Sequence, residues 1–72
     1  MVYLVMDGEQ VRSLREEKGM SQREFAVASG VSKKTLVNVE AGKMHRRPST
    51  VRKIGAALGV DPRSLATVAS RA

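Results

Sequence analysis

Residues 21–42, SQREFAVASGVSKKTLVNVEAG, constrain the fold more than any other stretch, because they read as two helices of about eight residues. Helices that short do not hold in water alone, so each must find its stability by packing on the other and on the rest of the chain. Ser21 and Glu24 have the spacing of a capping box, Ser32 supplies an N-cap for the second helix, and Gly42 ends it. Ala26 is small enough for two helices to cross closely, and Gly30 can take the positive φ of a tight turn between them. The second helix is thereby wedged at a fixed angle. Leu36 and Val39 then face the core, while Lys33, Lys34, Val37, Asn38 and Ala41 point away from it.

The same punctuation divides residues 7–70 into five helices. Asp7 with Gln10 forms another capping-box pattern, opening a first helix that runs to about Lys18, with Val11, Leu14, Arg15 and Lys18 on one stripe and Gly19 as the stop. In the second helix Phe25 and Ala26, with Ala28 beside them, form the buried side. A polar loop, Lys43 to Pro48, follows the third helix. Ser49 or Thr50 begins a fourth, whose inner stripe is Val51, Ile54, Ala57 and Leu58, ending at Gly59. Asp61 and Pro62 place a cap and a first-turn proline at a fifth helix carrying Leu65, Val68 and Ala69. The expectation is an all-α domain over residues 7–70. At 72 residues, with 42% apolar side chains, the chain closes one core, and with no cysteine neither disulfides nor a thiolate metal site help to hold it.

Residues 1–6 do not fit the helical scheme. Val2, Tyr3, Leu4, Val5 and Met6 are mostly apolar, two are β-branched, and Asp7–Gly8 ends the run, which favours a short strand over a helical extension. A lone strand needs a partner. Pairing with the same strand of a second chain builds a homodimer; the alternative is a tail packed along the fifth helix or a frayed end. The run is too short for a signal peptide and lacks a preceding positive region, and no later segment approaches a membrane span, so a cytoplasmic protein is expected.

Charge points to the partner. From residue 33 to 53, Lys33, Lys34, Lys43, Arg46, Arg47, Arg52 and Lys53 oppose the single acid Glu40, whereas outside that window six cations meet six acids. The whole net charge of +6 therefore sits in one stretch. Such a segment on neutral scaffold is the footprint of a polyanion site, with a basic face kept for solubility as the blander reading. An enzyme is not expected: the carboxylates sit at caps or beside cations, there is no glycine-rich phosphate loop, and His45 has no second histidine or cysteine to share a metal. No cofactor is implied.

SQREFAVASGVSKKTLVNVEAGK, preceded by REEKGM and followed by RPSTVRKIGAALGVDPRSL, resembles the Cro and lambda-repressor type of helix-turn-helix, the XRE family, over about residues 9–66. The Ser-Gln opening, Ala26, Gly30, Val31-Ser32, Glu40-x-Gly42 and the closing ALGV all keep the family spacing. The resemblance implies a lambda-repressor-like domain whose second and third helices form the helix-turn-helix and bind double-stranded DNA, the third helix (33–41) lying in the major groove of an operator as part of a transcriptional regulator, a repressor.

Roles follow residue by residue from that resemblance. Lys33, Lys34 and Asn38 match base-reading positions, where Lys donates to guanine and Asn pairs with adenine in two hydrogen bonds, and Val37 is placed to touch a thymine methyl. Gln22 matches a phosphate-binding position, and Ser32, Thr35, Lys43, Arg46 and Arg47 fall where the backbone passes. Arg15 and Glu40 match an ion pair that ties the first helix to the third. Ser29 departs from the pattern, standing where the family usually has an aliphatic residue before the turn glycine, so a smaller contact is expected there. The rival reading is a protein-binding or antitoxin-type module on the same fold, with weak or no DNA contact; an interface of that kind favours exposed apolar and aromatic residues on the outer face of the third helix.

Overall fold

A computed structural model describes residues 2–42 and 45–71. Strand β1 (Val2–Met6) leads into helix α1 (Gly8–Glu17), followed by α2 (Gln22–Ser29), α3 (Lys33–Glu40), a two-residue strand β2 (His45–Arg46), α4 (Pro48–Leu58), a 3-10 turn (Pro62–Ser64) and β3 (Ala66–Arg71). Each of the first three helices starts on the side-chain cap that its sequence offers. Asp7 accepts from the Gln10 amide at 3.1 Å, and Ser32 accepts from the Thr35 amide at 3.0 Å. Ser21 and Glu24 complete the reciprocal box at 3.1 and 2.8 Å. The turn between α2 and α3 is made by Gly30 at φ +77°, whose amide returns to the Ala26 carbonyl.

The core is one cluster of Met6, Val11, Phe25, Ala26, Leu36, Val39, Val51, Ile54, Leu58 and Leu65. Every helix contributes to it, and Met6 brings the end of β1 into the same cluster. Two expected positions lie elsewhere: Lys18 is exposed as the C-cap of α1, and Ala28 is exposed. Ser29 is buried in its place, and its hydroxyl donates back to the Ala26 carbonyl at 3.3 Å, so the polar atom is satisfied within its own helix. Gly8 is buried where α1 meets the end of α3; a Cβ there would strike the Val39 carbonyl oxygen.

Three sequence expectations are corrected. There are four α-helices among the described residues, not five, because the Asp61 cap starts only a 3-10 turn before the chain straightens into β3. Asp61 accepts from the Arg63 amide at 2.8 Å, the Asp7 amide donates to the Leu65 carbonyl at 2.9 Å, and from Ala66 onward the backbone pairs antiparallel with β1. Six residues that include Thr67 and Val68 gain more from an available strand edge than from a last short helix. Tyr3 faces Ser70 while Leu4 faces Val68, a bulge that leaves Ala69 as the extra residue.

The second correction concerns the pentad. It forms a strand, but β1 lies in the middle of the sheet order β2-β1-β3, so both of its edges are used within the chain. The lone-strand premise for pairing Val2, Tyr3, Leu4, Val5 and Met6 with a second copy therefore fails, since β3 runs along the whole strand and β2 covers Leu4 and Val5 on the other side. The third is the loop after α3. His45 and Arg46 pair with Val5 and Leu4, and α4 opens one residue earlier than expected, with Pro48 in its first turn and Arg47 at the N-cap.

Candidate nucleic-acid interface

The outer face of α3 is set by what its inner face does. Leu36 and Val39 are fully buried, which turns Lys33, Lys34 and Val37 outward; Val37 keeps 38% of its surface exposed although it is apolar, and Asn38 is half-buried beside it. At the start of the helix the Ser32 hydroxyl donates to the Thr35 hydroxyl at 2.9 Å while accepting from the Thr35 amide. Both hydroxyls are thus tied to the cap, and their remaining hydrogen-bonding capacity faces solvent. Arg47 is exposed at the head of α4, and Arg46 is half-buried on β2. Lys43 lies outside the described residues.

The far end of α3 is held by a charged network. Arg15 Nε and Nη2 donate to the two carboxylate oxygens of Glu40 at 2.8 and 3.1 Å, a two-pronged pairing, and Arg15 Nη1 donates to the Met20 carbonyl at 2.7 Å. The side chains retain only 9% and 5% of their exposure. Hydrogen bonding to Glu40 raises the Arg15 pKa above its ordinary value, against the opposing effect of burial, and the nearby Glu16 adds to the rise. Gln22 joins from α2, donating through Nε2 to Glu40 Oε1 at 3.1 Å. One carboxylate therefore ties α1, the first residue of α2 and the last residue of α3 together.

Sequence reasoning missed the link between Gln22 and Glu40, since a contact across eighteen residues leaves no local signal. It also missed an open cleft of about 460 Å³ lined by Arg12, Arg15, Gln22, Val37, Glu40 and Ala41. A larger groove of about 630 Å³ opens beside the start of α1, but Asp7, Glu9 and Glu40 line it together with Arg63, a mixture of signs that offers no surface to a polyanion. Among the described residues no cluster of three His, Cys, Asp or Glu side chains has the geometry to hold a metal ion, and no helix is long and apolar enough to cross a membrane.

The helix-turn-helix family model HTH_3 matches residues 11–65, from the first core valine of α1 to Leu65 after the 3-10 turn. The chain belongs to this helix-turn-helix family. The resemblance to the Cro and lambda-repressor type is borne out with it. The HTH-type transcriptional repressor RghR of Bacillus subtilis is 39% identical over 54 residues, 74% of this chain and 40% of the repressor. The restriction-modification controller protein C.AhdI of Aeromonas hydrophila is 34% identical, with a TM-score of 0.72 over 78% of this chain and 85% of its own. SinR of Bacillus subtilis, the master regulator for biofilm formation, solved in complex with DNA, is 29% identical, with a TM-score of 0.74 over 79% of this chain and 92% of its own. The chain spans between 13% and 45% of the length of the curated relatives it matches.

Proposed function

We propose that this chain binds double-stranded DNA sequence-specifically as a transcriptional regulator, a repressor acting in the cytoplasm, with α3 in the major groove. The observation that carries the reading is the pairing of Lys33 and Lys34 on the exposed start of a helix whose other side is fully buried and whose end is clamped by Glu40. A rigid, cationic helix face matches a groove that displays guanine and adenine acceptors, and an interface for protein would replace those lysines with apolar anchors. In this reading Lys33, Lys34 and Asn38 read base edges and Val37 meets a thymine methyl. Gln22, Ser32, Thr35, Lys43, Arg46 and Arg47 take the backbone. Gln22 can do so while bonded to Glu40, because its amide nitrogen keeps one further N–H to donate.

The relatives support the reading through what their names state: RghR is a transcriptional repressor, and SinR was solved on DNA. We read the active form as a homodimer, so that two copies of α3 meet half-sites about 34–36 Å apart, one turn of B-DNA. Its contact lies outside β1. Selection of bound duplexes from a random pool tests the proposal. An enriched palindrome supports both the base reading and the dimer, an enriched asymmetric site supports the base reading alone, and a pool that stays random favours the protein-binding module.

A further inference from the structure

We infer that the cleft between α1 and α3 is a seat for a DNA backbone phosphate and that Arg12 is the cation that binds it. This rests on the DNA-binding reading above and adds a residue that the concentration of charge over residues 33–53 does not reveal. The cleft is polar at one wall and open to solvent, and Val37 and Ala41, both on the outward face of α3, form the other wall. Whatever backbone α3 meets on that flank passes this opening. Gln22 lies in the cleft with hydrogen-bonding capacity left, while Arg15 behind it is committed to Glu40 and Met20 and has no charge to spare.

Arg12 is the cation at the rim that remains adjustable. Its side chain is 63% exposed, and Glu16, its ion-pair partner one turn on at 3.3 Å, is 56% exposed. An exposed i, i+4 pair of this kind holds weakly, so a phosphate with which Arg12 makes two parallel hydrogen bonds displaces it readily. Glu16 then acts as a competitor for the same guanidinium. It lowers the occupancy of Arg12 on phosphate and adds its own repulsion for the DNA backbone.

The test is a double-mutant cycle read by fluorescence anisotropy on a labelled duplex across a salt series, with R12Q, E16Q and the double variant. R63Q serves as control, because Arg63 is 91% exposed but paired with Asp61 at 2.8 Å and does not line this cleft. One lost phosphate contact makes the fall of log K with log salt shallower by about 0.9 in slope and weakens binding by up to about eightfold at 0.1 M salt. R12Q is expected to show that change equally on specific and random duplexes, with R63Q unchanged. E16Q is expected to tighten binding, and most of that gain is expected to vanish in the double variant. Wild-type protein that binds no duplex overturns both this inference and the DNA-binding reading. Wild-type protein that binds while R12Q keeps its affinity and salt slope overturns this inference alone. A full gain from E16Q in the R12Q background also overturns it, since Glu16 then acts without Arg12. Circular dichroism melting of each variant close to wild type excludes misfolding as the source of the losses.

Discussion

Glu40→Ala is expected to cost more stability than any substitution of an exposed residue in this chain. Glu40 is 5% exposed and accepts two hydrogen bonds from Arg15 and one from Gln22. Removing the carboxylate leaves the buried Arg15 guanidinium with the Met20 carbonyl and a distant, exposed Glu16 at 3.9 Å, and stranding one member of a buried pair costs about 3–5 kcal/mol. A domain of 72 residues has about 4–11 kcal/mol in total, so the loss is about a quarter of it or more. At about 4–8 °C per kcal/mol for a domain of this size, the melting midpoint falls by about 12–40 °C. Thermal and urea unfolding followed by far-ultraviolet circular dichroism measures it. The companion variant, Arg15→Met with Glu40→Leu, removes both charges and is expected to recover more than half of the loss, because no buried ion is left unpaired. A Glu40→Ala midpoint within about 4 °C of wild type, under about 1 kcal/mol, refutes the argument, as does a double variant no more stable than the single one.

Gly8→Ala would ordinarily strengthen a helix by up to about 1 kcal/mol, but here the added methyl strikes the Val39 carbonyl, so a net loss of about 1–3 kcal/mol is expected in the urea midpoint. Ser21→Ala removes half of the α2 capping box and is expected to cost about 1 kcal/mol by the same assay. Glu24 in that box is held below its ordinary pKa of 4.5, first by the Ser21 amide and then by its hydroxyl. Asp61 is likewise lowered, from 3.8 to about 2, by the Arg63 side chain and amide. A lowered carboxyl pKa in the folded state contributes stability that is present above the ordinary value and lost as pH falls through the folded one. Acid titration of the urea midpoint is therefore expected to decline between about pH 4 and 2, less steeply in Asp61→Asn than in wild type.

Much of the central fold was legible because its signals are local. Ser21 with Glu24, Ser32 before Lys33 and Gly30 at the turn each act within a few residues, and the structure uses all of them. Leu36 and Val39 could be placed on the inner face of α3 for the same reason. The ends of the chain were harder. Asp61-Pro62 carries a helix-start signal as strong as the others, yet the residues after it fold as β3, because the β1 residues they pair with lie sixty or more positions earlier in the sequence and supply an edge that no local pattern announces. The pentad was readable as extended, whereas its partners, β2 and β3, depend on that same long-range pairing. Within the candidate site, the outward set of Lys33, Lys34, Val37 and Asn38 follows from helical spacing. The position of Arg12 beside Gln22 and Val37 does not, since it depends on how three helices cross.

The central claim is that α3 reads base edges, and the most direct measurement compares Asn38→Ala with wild type on the enriched duplex and on a scrambled one of equal length and salt. The account predicts a loss of about 1–3 kcal/mol on the enriched site with little change on the scrambled one, whereas Arg47→Ala weakens both alike and lowers the salt slope by about 1. Equal losses on the two duplexes for Asn38→Ala would contradict it.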